Sequence, residues 1–179
     1  MIILASGSPR RRELIKKITT DFTVIPADVD ESIIHVPACD LPGELSKLKA
    51  YDVFQKYPND KVLACDTVVI IDGEVLGKPH TKEKAFEMLK KLSGRKHVVI
   101  SGYTLISKEK EITRTVRTYV YFNELSDELI NKYIETGSPM DKAGAYGIQD
   151  KEFDLVNHIE GSFDNVIGLP TEDLKAHWF

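Results

Sequence analysis

The sequence has few cysteines, no long apolar run and no excess of basic residues. Its two cysteines, Cys39 and Cys65, lack CxxC spacing, which argues against a disulfide framework and against a zinc site. No stretch approaches the roughly 18 apolar residues that a membrane span needs. The formal net charge of −4 argues against a protein that works by binding nucleic acid, because such binding favours a strong basic excess.

Motifs of several common enzyme classes are also missing. The chain contains no GxxxxGK[ST] loop, so it is not an ordinary P-loop enzyme. It also contains no HExxH pair and no GxSxG elbow. The apolar run at residues 1–5 is too short for a signal peptide, and its positive charges follow it, which is the reverse of the secretory order. We therefore expect a reduced, cytoplasmic protein with no membrane partner.

The chain of 179 residues is long enough for a single domain, 1–179, with its own core. Strand and helix patterns are mixed with hairpins, which predicts an α/β or α+β protein with a mixed sheet. The predicted strands cover residues 2–5, 22–27, 62–71, 74–76, 97–107, 111–122 and about 154–159. The predicted helices cover residues 9–18, 41–57, 82–92, 126–137 and a last segment after residue 170.

Three consecutive arginines follow the first predicted strand, where Ser8 can cap the helix that begins there. The apolar residues of this helix define an inward-facing stripe, which consists of Leu14, Ile15 and Ile18. At about 100° per residue, Arg11 falls near the middle of the stripe, Arg10 at its edge and Arg12 outside it. Helix N-termini and forked arginine donors both suit phosphate, so Arg10 and Arg11 are candidate phosphate ligands. A solvated basic turn is the alternative.

Asp66 is the second unusual residue, because it lies within the buried-looking strand VLACDTVVII. A carboxylate in such a place is costly unless it is paired, metal-bound or open to a cleft. Glu31, in an acidic loop, could join it as an oxygen ligand for Mg²⁺, although such loops are often plain surface. Lys49 shares a helical stripe with Leu45 and Val53, so its ammonium either reaches a cleft or snorkels to solvent.

Two later positions are weaker candidates when taken singly. Lys78 stands in a Gly-Lys-Pro turn and suits a phosphate contact or a plain turn equally well. Gln149 ends the glycine-rich stretch AGAYGIQ, and its amide could pair with the edge of a base. Together, the cations and the two acids suit phosphate-anhydride chemistry with a hard metal, which their spacing alone does not prove.

The chain resembles the Maf family of nucleotide pyrophosphatases in a series of motifs that follow the family order from about residue 4 to residue 170. These motifs are SGSPRR, DES, LKA, CDTVV, GKP, SGYTL, DKAGAYGIQ and GSFDNVIGLP. The resemblance implies hydrolysis of a nucleoside triphosphate to the monophosphate and pyrophosphate, with Mg²⁺ or Mn²⁺, in a house-cleaning role. It also implies a fold similar to the inosine triphosphatases: an elongated, twisted mixed sheet with flanking helices, in two lobes around a cleft.

The same resemblance implies roles for individual residues. SGSPRR with AGAYGIQ is similar to the branch acting on dTTP and UTP, in which Arg10, Thr67 and Gln149 match positions tied to substrate choice. Asp66 matches the catalytic acid–base residue and, with Glu31, would hold the metal. The remaining matched positions line the same cleft and would contact phosphate; they are Ser8, Arg11, Lys49 and Lys78. Departures at Cys65 and Phe163, where many relatives have alanine and tyrosine, bear on fine substrate preference.

Several alternatives stay open at this point. The protein could be a regulator of septation or cell division that acts by binding. It could be a γ-phosphatase on the same substrates, or run the same chemistry with a preference for CTP or a 7-methylated guanine nucleotide. The expected partner is a small nucleoside triphosphate rather than nucleic acid or a membrane, and a homodimer is left open.

The helical stripe predicts that the three arginines respond differently to mutation. Arg10→Ala and Arg11→Ala should each lower the rate of UTP hydrolysis by on the order of 10²–10³, because each removes a charge-assisted contact. Arg12→Ala should change the rate little, since a lone surface charge contributes at most about 1 kcal/mol. Steady-state kinetics measures the rates, and circular dichroism checks folding. An equal loss in Arg12→Ala and Arg11→Ala would refute the stripe.

Overall fold

The computed structural model describes residues 1–179, which form a seven-stranded sheet and flanking α-helices. The strands are β1 (Ile2–Leu4), β2 (Phe22–Val24), β3 (Lys61–Ile71), β4 (Glu74–Leu76), β5 (Lys96–Ile106), β6 (Glu111–Phe122) and β7 (Val156–Glu160). The helices are α1 (Pro9–Ile15), α2 (Leu41–Phe54), α3 (Lys82–Leu92), α4 (Asp127–Glu135), α5 (Phe163–Ile167) and α6 (Thr171–Ala176). Short 3₁₀ turns lie at Glu31–Ile33, Ala38–Asp40, Ser138–Asp141, Ala143–Ala145 and Lys151–Phe153.

The strand order in the sheet is β2-β1-β3-β5-β6-β7, and β4 also pairs with β3. β1 runs parallel to both β2 and β3, with Ile2 opposite Phe22 on one side and Lys61 on the other. The pairs β3–β4 and β6–β7 are antiparallel. The sheet is therefore mixed, which confirms the predicted fold class. None of the helices is both long enough and apolar enough to cross a membrane.

The first of two compact units consists of residues Met1–Thr67, Ile100–Val116 and Asp164–Phe179. In this unit β1 and β3 are buried on both faces, because their alternate residues enter two separate cores. The core on the α1 side contains Ile2, Leu4, Leu14, Ile15, Leu63, Cys65, Tyr103, Leu105, Leu169 and Leu174. The core on the α2 side contains Ile3, Ala5, Ala50, Val53, Val62, Ala64 and Ile106. Burial on both faces explains why these parallel strands read as continuous apolar runs.

The second compact unit consists of residues Val68–Val99 and Arg117–Phe163. Its helices α3 and α4 pack together, and each has a hydroxyl cap at its N-terminus. Thr81 accepts a hydrogen bond from the Lys84 N–H, and Ser126 accepts one from the Leu129 N–H. The predicted hairpin turn between β3 and β4 is confirmed, with residues 72–73 in the left-handed region that such turns require.

Three elements end three residues earlier than predicted, each for a local reason. After α1 the chain tightens into i→i+3 bonds, such as Ile18 N–H to Ile15 C=O at 2.9 Å, so the α-helix ends at Ile15. Helix α2 stops before residue 57, because the proline at 58 disfavours the helical conformation of the residue preceding it. Strand β2 ends at Val24, since β1 offers only three partners and Pro26 has no N–H to donate.

Two differences concern the last part of the chain. Strand β7 begins at Val156 rather than near 154, because Asp154 has a φ of 49° and is not extended. Helix α5 was not predicted. It spans only five residues, too few for a helical periodicity to be visible in the sequence.

Gly102 of β5 lies against the first turn of α2, where no side chain fits. A Cβ at this position would stand 2.4 Å from the backbone nitrogen of Gly43 and 2.4 Å from the carbonyl carbon of Pro42. Gly102→Ala should therefore lower the free energy of unfolding by at least the roughly 1–3 kcal/mol typical of overpacking. Calorimetric melting measures the loss. Gly77→Ala is the matched control, because a Cβ there meets nothing within 4 Å, and equal Tm values for the two variants would contradict the expectation.

Candidate active site

The candidate site in the first unit lies at the carboxyl ends of its parallel strands. β1 ends at Leu4, so Asp66 and Thr67 occupy the part of β3 that continues past it. The segment 5–8 leaves β1 at the same end, and Glu31 belongs to the loop that follows β2. Open parallel sheets bind their ligands outside this edge, because the loops that follow the strands converge there.

The entrance of α1 has the arrangement that the sequence predicts. Ser8 is the N-cap, and its hydroxyl accepts a hydrogen bond from the Arg11 N–H at 3.4 Å. Arg10 and Arg11 are partly buried, whereas Arg12 is exposed, so the predicted orientation of the three arginines is confirmed. Because α1 has only seven residues, the basic character of this turn comes from the guanidinium groups rather than from a long helix dipole.

Arg11 is held by contacts from three parts of the unit. Its Nε donates to the Gly168 carbonyl at 2.7 Å, one terminal nitrogen donates to Ser6 Oγ at 3.3 Å, and the other donates to Thr67 Oγ1 at 3.1 Å. The Thr67 hydroxyl is itself 2.8 Å from Ser101 Oγ. These bonds use three of the five guanidinium N–H donors and fix the plane of the group.

Lys49 joins the two predicted acids on the opposite face of β3. Its ammonium lies 3.0 Å from Asp66 Oδ1 and 3.1 Å from Glu31 Oε1. The side chains of Lys49 and Asp66 are 18% and 14% exposed, so this is a shielded ion pair rather than a surface one. Lys49 therefore does not snorkel to open solvent but neutralises both carboxylates.

Asp66 has an unusual protonation equilibrium for an aspartate. Burial raises the pKa of Asp66 above its ordinary value of 3.8, while Lys49 and then Arg11 oppose the rise by favouring the carboxylate. The nearby Glu31 carboxylate adds a smaller upward effect on that pKa. A carboxyl group poised in this way can exchange a proton more readily at moderate pH than a solvated aspartate.

The alternation of side chains along β3 explains why cations approach the end of this strand from both faces of the sheet. Adjacent residues of a strand point to opposite faces, so Thr67 faces α1 and Asp66 faces α2. Arg11 on α1 and Lys49 on α2 reach these two residues from opposite sides of the sheet. Just past the end of β1, the unit thus presents an acid flanked by fixed cations, an arrangement suited to a polyanionic ligand.

The donor set of Glu31 and Asp66 fits a hard divalent cation. Both carboxylates approach one cationic point, since each contacts the same ammonium. No group of three or more His, Cys, Asp or Glu side chains is arranged as a metal cage. A pair of carboxylates is a usual protein donor set for Mg²⁺, whose remaining positions are taken by water and substrate phosphates.

Lys78 and Gln149 both belong to the second unit, where both side chains are exposed. A backbone hydrogen bond connects the segment before Gln149 to the turn that contains Lys78: the Gly144 N–H donates to the Gly77 carbonyl at 3.2 Å. Gly144 and Ala145 both have positive φ angles, of 71° and 64°, so the chain bends sharply before Gln149. The glycine-rich stretch AGAYGIQ therefore contains a tight turn.

A buried pair of aromatic residues anchors this turn. Tyr146 hydroxyl lies 2.6 Å from His97 Nε2, and both rings pack edge-on against Phe122. Burial lowers the pKa of His97 to about 4, so the imidazole is neutral at pH 7. The strained backbone at Ala145 persists because the side chain that follows it is fixed on several sides.

Sequence reasoning missed the residues that support Arg11 from behind. Ser101, in the motif SGYTL, is fully buried, and Gly168, in the motif GLP, offers its carbonyl. The signals for Ser101 were its place in the family motif SGYTL and a polar residue inside an apolar strand, and neither reveals its partner. The φ of 141° at Gly168 explains the need for glycine there, but no sequence pattern reveals such an angle.

A shielded acid between cations is an arrangement suited to a polyanionic ligand, and comparison with known proteins identifies the family of the chain. Residues 1–177 match the family described as Maf-like protein. The chain is 49% identical over 172 residues to the dTTP/UTP pyrophosphatase of Thermococcus gammatolerans, covering 96% of this chain and 92% of that one. It is 50% identical over 169 residues to the protein of the same name from Thermosipho africanus, covering 94% and 87%.

The fold comparison agrees with the sequence comparison. The structure is similar to that of the Staphylococcus aureus Ham1 protein, with a TM-score of 0.58 and 16% identity, covering 98% of this chain and 96% of that chain. This likeness concerns the fold alone. The match over residues 1–177 and the relatives about half identical in sequence establish that the chain belongs to the Maf family.

The geometry around Asp66 predicts its titration. In ¹³C NMR without added metal, the Asp66 carboxyl should titrate above 3.8, because its burial outweighs the neighbouring cations. Lys49→Met should move the midpoint further upward, since the ammonium is the largest influence that favours the carboxylate. Arg12→Ala, a change in an exposed cation, should leave it in place, and Asp30 should titrate below 3.8 because Ser32 donates to it. An Asp66 midpoint at or below 3.8 would contradict the structure.

Proposed function

We propose that this protein is a nucleoside triphosphate pyrophosphatase that hydrolyses dTTP and UTP to the nucleoside monophosphate and pyrophosphate. The observation that carries the proposal is Asp66, a shielded acid of raised pKa held by Lys49 at the carboxyl ends of parallel strands. The names of relatives about half identical in sequence support the choice of substrate.

Asp66 acts as the general base in this proposal. Its carboxylate orients a water molecule and accepts a proton from it as the water oxygen bonds to the α-phosphorus. The bond between that phosphorus and the oxygen bridging to the β-phosphate breaks, and pyrophosphate leaves. A general base works best when its pKa approaches the operating pH, and burial moves the pKa of Asp66 in that direction.

The cations stabilise charge on the triphosphate and on the leaving pyrophosphate. Arg10 or Arg11 acts from the α1 side and Lys49 from the α2 side, and Lys78 is assigned the same task by its family motif. The guanidinium of Arg11 is already fixed by Ser6, Thr67 and Gly168, so little reorganisation is required when substrate binds. Preorganised donors of this kind are commonly the largest single contribution to catalysis.

A divalent cation completes the proposed site. Glu31 and Asp66 would hold Mg²⁺ or Mn²⁺ together with phosphate oxygens, and the ion would supply Lewis-acid neutralisation of the triphosphate charge. In the free protein both carboxylates contact the Lys49 ammonium.

Substrate choice is assigned to Arg10, Thr67 and Gln149, the positions that match the specificity residues of the dTTP- and UTP-hydrolysing branch. A site built to hydrogen-bond one base edge leaves polar groups unpaired when the wrong base enters, and this can discriminate strongly. The biological task that follows is removal of unwanted or modified nucleotides.

The test is hydrolysis of a panel of triphosphates by the purified protein, with products separated by chromatography. UTP and dTTP should exceed ATP and GTP in kcat/KM and should yield monophosphate and pyrophosphate. In water enriched in ¹⁸O, the label should appear in the monophosphate, because attack is at the α-phosphorus. Excess chelator should abolish the activity, because the carboxylate pair faces a polyanion that needs a hard cation.

A matched pair of variants identifies the acid. Asp66→Asn should lose nearly all activity, whereas Asp72→Asn should keep it, because Asp72 lies in the β3–β4 turn and pairs with Arg95. Diphosphate and free phosphate as products would replace the proposal by a γ-phosphatase. Comparable kcat/KM for ATP and UTP, or full activity in chelator, would also count against it.

A further inference from the structure

A chain of hydrogen-bonded hydroxyls runs from Arg11 into the interior of the first unit. Arg11 donates to Thr67 Oγ1 at 3.1 Å, Thr67 Oγ1 lies 2.8 Å from Ser101 Oγ, and Ser101 Oγ lies 3.2 Å from the Asn165 carbonyl oxygen. Ser101 and Asn165 are fully buried, so solvent does not replace the bond between them, whereas Arg11 and Thr67 are partly buried.

The two ends of the chain fix its direction. A guanidinium can only donate and a carbonyl can only accept. Thr67 therefore accepts a hydrogen bond from Arg11 and donates one from its own hydroxyl to Ser101 Oγ. Ser101 in turn donates to the carbonyl of Asn165. Every hydroxyl then donates once and accepts once, and no buried polar hydrogen is left without an acceptor.

Loss of the Ser101 hydroxyl would disturb this order. The other acceptor within reach of Thr67 is the Gly168 carbonyl, at a longer 3.4 Å. That oxygen already accepts from Arg11 Nε at 2.7 Å and from Cys65 Sγ at 3.3 Å, and it has only two lone pairs. Thr67 would then compete with Arg11 for the carbonyl that orients the guanidinium.

We propose that Ser101 is a positioning residue for the pyrophosphatase reaction: by accepting the Thr67 proton, it holds Thr67 as an acceptor and so fixes the guanidinium of Arg11. The inference rests on the proposed function, in which Arg11 contacts the triphosphate. It also implies that Thr67 influences substrate handling through Arg11, because its hydroxyl proton is already used inside the protein.

The experiment compares Ser101→Ala with Ser46→Ala, a matched control. Ser46 is equally buried in the same unit, and its hydroxyl likewise pairs with another, Thr104 Oγ1 at 2.8 Å, but it lies outside the Arg11 network. Ser101→Ala should lower kcat/KM for UTP by about 10- to 100-fold, as small misplacements of a substrate-positioning group do. Ser46→Ala should leave kcat/KM near the wild-type value.

A double-mutant cycle with Arg11→Lys separates positioning from general destabilisation. If Ser101 acts through Arg11, the variant carrying both changes should be no slower than Arg11→Lys alone, because the group to be positioned is gone. Ser101→Thr, which restores a hydroxyl, should recover most of the rate. Additive losses in the cycle, or equal rates for Ser101→Ala and Ser46→Ala, would overturn the inference.

A readout without substrate keeps the inference distinct from the proposed function. In ¹⁵N NMR, the Arg11 Nε–H should exchange with solvent faster in Ser101→Ala than in wild type or Ser46→Ala. If the wild-type protein hydrolyses no triphosphate, the proposed function fails, and unchanged exchange would still refute the positioning by Ser101. If Ser101→Ala does not fold, Ser101→Cys serves in its place, because it keeps the side-chain shape with a weaker donor.

Discussion

The candidate site depends on one ammonium group placed between two carboxylates. A carboxylate inside a sheet is strongly destabilised by the loss of water, and Asp66 persists there because Lys49 Nζ lies 3.0 Å away. Burial raises the pKa of Asp66, and Lys49 opposes the rise by favouring the carboxylate. Removing one partner of such a pair costs more than the net worth of the pair, because the other charge is left buried and alone.

The arrangement of strands explains how the first unit brings Asp66, Arg11 and Lys49 together at the end of β1. Because β1 stops at Leu4 while β3 continues, residues on both faces of β3 become available at the same level. Helices α1 and α2 cover opposite faces, so one contributes Arg11 and the other contributes Lys49. The two cores on either side of the strands give each helix an independent apolar anchor, and the polar groups at the strand ends do not have to supply the stability.

The parts of the site that sequence could predict are those governed by local periodicity. The apolar stripe on the first helix predicted the inward orientation of Arg11. The apolar sequence VLACDTVVII indicated that Asp66 needs a partner or an open cleft. The partner itself could not be identified, since Lys49 and Asp66 meet only through the packing of α2 on β3. The support of Arg11 by Gly168 joins residues 157 positions apart and leaves no local signal. The single-domain boundary, the residue roles and a homodimer stay predictions.

The bond between Gly144 and Gly77 has a consequence for motion within the second unit. Because the Gly144 N–H is tied to the Gly77 carbonyl, the turn that precedes Gln149 and the turn that bears Lys78 cannot fluctuate separately without breaking it. The first of these turns is also anchored by the buried ring of Tyr146, whose hydroxyl lies 2.6 Å from His97 Nε2. A change in the packing around His97 that released this turn would remove a constraint common to two exposed side chains, Lys78 and Gln149, that lie far apart in sequence.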